Sequence, residues 1–122
     1  MPLHGKIPDV PLGPPLEVDT LKLLEHDIGV EEVRRIMLLF RETLNNYRDQ
    51  ISTNLAARDL SQVKRTAHGL KGLCMQFGAT HAIELARLLE LHADNVEDAK
   101  IVLGRFVAEV ERVEKFIASW KS

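Results

Sequence analysis

Residues 95–120 read NVEDAKIVLGRFVAEVERVEKFIASW, and their apolar members fall at Ala99, Leu103, Phe106, Val110, Val113, Ile117 and Trp120. Alternating steps of four and three residues place all seven side chains on one face of a helix, because an α-helix turns ~100° per residue. Asn95 and Asp98, at the head of the stretch, are suited to starting it. A helix with a single apolar face needs partners, and the chain upstream supplies them. Val33, Met37, Phe40, Leu44, Tyr47, Ile51 and Leu55 make a second stripe. Val63, Ala67, Leu70, Cys74 and Phe77 make a third, ending at Gly78. Ala82, Leu85, Leu89 and His92 make a fourth. Asp59 followed by Gln62 resembles a capping box with Asp in the Ser/Thr place, and Thr80 is expected to cap the helix that follows it. A shorter helix is expected from Asp19, as its N-cap, to about Gly29. Four long amphipathic helices with short connections predict an all-α, antiparallel four-helix bundle with a short additional N-terminal helix.

All five prolines (Pro2, Pro8, Pro11, Pro14 and Pro15) lie within the first fifteen residues. Proline lacks the helical donor and clashes with the preceding turn. Residues 1–16 are therefore expected to be an extended tail or a strap on the domain, and residues 17–122 to be the bundle. At 122 residues one core is expected.

Composition narrows the function. A formal net charge of −2 argues against a nucleic-acid binder. The single cysteine, Cys74, cannot form an internal disulfide, and it lies on an apolar stripe where a small core residue is expected. No apolar run approaches the ~20 residues that span a bilayer, and the proline-broken N-terminus does not read as a secretory signal. A cytoplasmic, monomeric protein with no membrane association is expected. The stripes offer only His92 as an inward-facing ligand, and no Glu-x-x-His pair occurs, so no metal site and no cofactor are expected.

The chemistry concentrates in residues 65–79, RTAHGLKGLCMQFGA. His68 points about 140° away from the mean direction of the apolar stripe, towards water. Lys64, Arg65, Lys71, Gly72 and Met75 share its outer half. Gly69 and Gly72 each cost about 0.8–1.0 kcal/mol relative to alanine in a helix interior, so each calls for a reason. Gly72, one turn after His68, leaves bare backbone where another molecule can approach. Gly69 reads as a small residue near a helix contact.

If the turn between the two helices centres near Ala79, His68 lies eleven residues before it and Glu90 eleven after. A constant rise per residue then puts the two at one height on antiparallel neighbours. A carboxylate there could accept Nδ1–H and leave Nε2 free as a nucleophile, and Lys71 could hold a phosphoryl oxygen. The competing reading makes Glu90 a surface carboxylate paired with Arg87 or Lys71. Met75 and Ile83, apolar residues on polar faces at matching heights, read as a docking patch with Lys64, Arg65 and Arg87 as its polar rim. Scattered surface hydrophobes and a solvated charged face are the plainer alternative.

Ala67-His68-x-Leu70-Lys71-Gly72, followed by Gly78-Ala79, resembles the signature of histidine-containing phosphotransfer (HPt) domains of two-component phosphorelays. The likeness extends to the short leading helix, Phe40, Asp59 and Leu89-Glu90. The resemblance implies that His68 accepts a phosphoryl group on Nε2, with Lys71 as phosphoryl neighbour and Gly72 as access residue. It implies response-regulator receiver domains and a (hybrid) histidine kinase as partners. It also implies a carrier rather than an enzyme, with the metal and most catalytic machinery supplied by those partners. Many relay members have Gln where Glu90 stands. Glu resembles the phospho-acceptor domain of larger chemotaxis-type kinases, which stays open as an alternative, as does a helical adaptor without phosphoryl chemistry.

Overall fold

The stripes fold as helices whose apolar faces meet in one core. The computed structural model describes residues 7–120 and contains α1 (Val18–Ile28), α2 (Val30–Ala56), α3 (Leu60–Gln76), α4 (Thr80–His92) and α5 (Val96–Ser119). Helices α2 to α5 run up and down in turn, each packing on the next, and α5 closes the ring against α2. The short α1 packs on α2. Connections of three residues (57–59, 77–79 and 93–95) force neighbouring helices to be antiparallel.

The expected stripes line this core. Val33, Met37, Phe40, Leu44, Ile51 and Leu55 of α2 are buried, as are Val63, Ala67, Leu70 and Cys74 of α3. Phe40 stacks on Phe77 with ring centroids 4.3 Å apart. Four stripe members are less covered than their spacing suggests. Tyr47, His92 and Leu103 are half-buried, and Val102 takes the interior place beside Leu103. A period of 3.6 does not match an alternation of four and three over many turns, so a long stripe drifts around its helix. Trp120, also half-buried, takes the Arg34 guanidinium over its ring at 5.9 Å and ties the end of α5 to the start of α2.

The helix ends follow local chemistry. Asp59 accepts from the Gln62 amide at 3.2 Å, and Asn95 accepts from the Asp98 amide at 2.8 Å. Two expected caps fall elsewhere. Asp19 lies inside the first turn of α1, where Glu17 is the cap residue, and Ala79 rather than Thr80 caps α4. Thr80 is diverted: its hydroxyl donates to Glu17 Oε1 at 2.9 Å, joining the α3–α4 turn to the base of α1. That turn needs Gly78. Its φ is +61°, and a Cβ there would stand 2.9 Å from Glu17 Cβ.

The described part of the proline-rich segment is a strap on the bundle; Pro2 and His4 lie outside the described residues. Ile7 and Leu16 are buried in the common core. A proline-rich chain cannot satisfy its own carbonyls, and three side chains of α4 and α5 do so. Arg105 donates to Pro8 O at 2.9 Å, Arg112 donates to Gly13 O, and His81 Nδ1 lies 2.9 Å from Pro11 O.

Arg112 also meets Glu109, whose Oε1 accepts from Nη1 at 2.7 Å. Glu109 is 2% exposed, and its Oε2 has no hydrogen-bond partner among the described residues. Burial pushes its carboxyl above the ordinary value, and the charges of Arg112 and His81 only partly offset that. Burial, with Glu109 nearby, raises the Cys74 thiol to about 12, so it is an inert core thiol.

A carboxyl raised on folding contributes stability below its unfolded pKa and loses that contribution as pH rises through the folded value. Urea unfolding of wild type and Glu109→Gln at stepped pH measures this. The variant should gain on wild type as pH rises from the ordinary carboxylate range towards neutrality. A pH-independent difference between the two would contradict the assignment.

Candidate functional site

α3 carries the site because its two faces are so unequal. Val63, Ala67, Leu70 and Cys74 are fully buried, which fixes the rotation of the helix and turns position 68 outward. The His68 side chain is 70% exposed. Lys64 and Lys71 flank it, and Gly72 has nothing within 4 Å of where a Cβ would stand. Bare backbone therefore lies one turn beyond the imidazole.

The α3–α4 pair is the most extensive helix contact in the bundle, and it brings Glu90 to His68. Glu90 Oε2 lies 3.3 Å from His68 Nδ1, and Glu90 Oε1 lies 3.6 Å from Lys71 Nζ. The carboxylate is about a third exposed, and Oε1 has no hydrogen bond among the described residues, so the Lys71 ammonium is its nearest compensation. With Nδ1–H donating to Oε2, the ring keeps its lone pair on Nε2. Arg87, the other cation considered for Glu90, is engaged by Glu84 at 2.6 Å.

The remaining positions are dispersed around this centre. Lys64 pairs with Asp94 at 2.7 Å, and that hydrogen bond and charge hold the Asp94 carboxyl below its usual range. Arg65 is exposed. Met75 is 63% exposed and shares the His68 face, whereas Ile83 is half-buried against the core. Among the described residues no group of three or more His, Cys, Asp or Glu side chains could hold a metal ion, and no helix is long and apolar enough to cross a membrane.

Gly69 lies at a helix contact, as its size suggests, and the neighbour there comes from α2. The phenol of Tyr47 lies on Gly69, next to the histidine, which accounts for a small residue at that position.

A protein-family model described as Hpt domain matches residues 35–116, which include the whole of α3 and α4. The chain belongs to the Hpt domain family. No curated protein sequence and no solved structure matches it. Hpt domains are helical bundles that act as phosphocarrier modules in two-component phosphorelays, working with receiver domains and histidine kinases. The match leaves out the strap and α1.

Proposed function

We propose that this Hpt protein carries a phosphoryl group on His68 Nε2. It receives the group from a receiver-domain aspartate or a histidine kinase and passes it to a response-regulator aspartate. Residues 17–122 are the relay domain, and residues 1–16 are its proline-rich leading segment. The observation that carries the reading is a 70%-exposed imidazole with a carboxylate 3.3 Å from Nδ1 and open backbone at Gly72.

In the accepting step the Nε2 lone pair attacks the phosphorus of an aspartyl phosphate. An N–P bond forms as the P–O bond to the carboxylate breaks, and the aspartate leaves as a carboxylate. Positive charge appears on the ring, and Glu90, hydrogen-bonded to Nδ1–H, offsets it. Lys71 offsets the phosphoryl oxygens. The donating step reverses these changes. Phosphohistidine has to survive between encounters. A histidine set on a rigid helix, with a carboxylate already engaged at Nδ1 and at a lysine, presents no free base to activate water at Nε2. Met75 and Ile83, with Lys64, Arg65 and Arg87 around them, form the docking patch, and the working unit is a cytoplasmic monomer.

A second reading is favoured by Glu90, since a carboxylate at that place resembles the phospho-acceptor domain of a chemotaxis-type kinase. In that case a kinase ATP site rather than an aspartyl phosphate loads His68.

One experiment addresses both. Purified receiver domains charged with radiolabelled phosphate, and histidine-kinase catalytic domains supplied with γ-labelled ATP, are presented in turn to the wild-type chain. Transfer of acid-labile, base-stable label is expected from at least one donor, and the class of that donor separates the two readings. A chain that stays unlabelled across the full panel would remove the support for the relay.

A further inference from the structure

Tyr47 belongs to the apolar stripe of α2, yet it is half-buried and its ring crosses to α3. A Cβ placed on Gly69 would meet Tyr47 Oη at 3.0 Å and two ring carbons at 3.6 and 3.7 Å. The phenol thus lies directly on the backbone of the residue that follows His68. Its hydroxyl makes no hydrogen bond among the described residues. The oxygen is not among the buried unpaired atoms, so it reaches the surface, where phenylalanine would pack the ring equally well. This hydroxyl is open to a partner.

Its position around α3 defines that partner. Turning from His68 towards α2, Gly72 comes at about 40°, Arg65 at about 60° and Gly69 at about 100°. On the C-terminal side, the floor between imidazole and phenol is therefore two glycines with no side chains. Glu90 and Lys71 occupy the opposite flank of the imidazole. A phosphoryl group on Nε2 stands off the helix by the length of the ring, whereas the phenol oxygen lies at the level of the α3 backbone. At that level the hydroxyl faces a chain that settles onto the glycine strip. Beyond it the same α2–α3 face continues as an apolar cleft lined by Leu39, Phe40, Leu73 and Phe77.

We infer that Tyr47 Oη is a docking group that hydrogen-bonds the main chain of the receiver domain seated over His68, with Gly69 holding the phenol low and Gly72 admitting the incoming chain. The inference rests on His68 as the phosphoryl carrier. It adds a recognition point on α2, outside the α3–α4 cluster that does the chemistry.

The test compares wild type, Tyr47→Phe and Gly69→Ala, loaded by receiver domains charged with acetyl phosphate, using those that label wild type. Tyr47→Phe keeps the ring and the packing. It should raise KM for the charged receiver roughly five- to tenfold, as loss of one hydrogen bond would. The kcat, the half-life of the phosphohistidine and the melting temperature should stay unchanged. Gly69→Ala, which must shift the phenol, should raise KM in the same direction. An unchanged KM in Tyr47→Phe overturns the inference. So does a change confined to kcat or to the half-life, since that would place the hydroxyl on the phosphoryl group. If wild type takes no label from any charged receiver, loading by receivers fails together with the role of Tyr47; a labelled wild type with an unaffected Tyr47→Phe sinks the role of Tyr47 alone.

Discussion

His68→Gln should take up no acid-labile label from any donor that labels the wild-type chain, while its fold and melting temperature should remain those of wild type. The two halves of this result have separate causes. The imidazole is mostly in water and contributes nothing to the core, and exposed substitutions of this kind usually change stability by no more than about 0.5 kcal/mol. Glutamine is neutral, fits a helix, and can still donate an amide hydrogen towards Glu90. It lacks the ring nitrogen whose lone pair would form the N–P bond, so transfer is lost outright. Thermal melts and label transfer on the same preparations check both halves. Residual acid-labile label in the variant would assign the phosphoryl group to another residue.

Gly72→Gln produces effects of opposite sign on stability and on transfer. No atom lies within 4 Å of the position a Cβ would take, so nothing inside the protein resists the new side chain. Removing a glycine from a helix interior should raise stability by about 0.5–1 kcal/mol. The same side chain stands one turn from His68 on the strip where a partner has to come close, and transfer should fall roughly tenfold or more, which corresponds to about 1.4 kcal/mol or more of lost docking. Chemical unfolding and stopped transfer assays measure the two quantities. A variant that is more stable and equally active would mean that the bare backbone has no part in docking. A less stable variant would contradict the open space around Gly72.

The elements legible in the sequence are those that depend on neighbours along the chain. The four-and-three spacing from Ala99 to Ile117 gives the buried face of α5, and Asp59 and Asn95 cap α3 and α5 through bonds three residues long. The equal-height count across Ala79 places Glu90 opposite His68, and the two stand 3.3 Å apart, because a short turn leaves antiparallel helices little freedom of register. Thr80 was misread as a cap because its hydroxyl answers to Glu17, sixty-three positions away. Glu109 could not be recognised as buried. It adjoins the Val110 stripe, and its partner Arg112 also holds the strap at Gly13. Tyr47 on Gly69 was hidden for the same reason: each residue fits its own helix pattern, and the contact exists only once α2 and α3 are side by side. Chemistry spread along one helix could be read from spacing, while contacts made across the bundle required the fold.

Nitrogen-15 NMR of the phosphorylated chain, with histidines isotopically labelled, tests the central claim most directly. The spectra should show one phosphoramidate, on Nε2 of His68, with the proton retained on Nδ1. Phosphate bonded to Nδ1, or to any residue other than His68, would contradict the account.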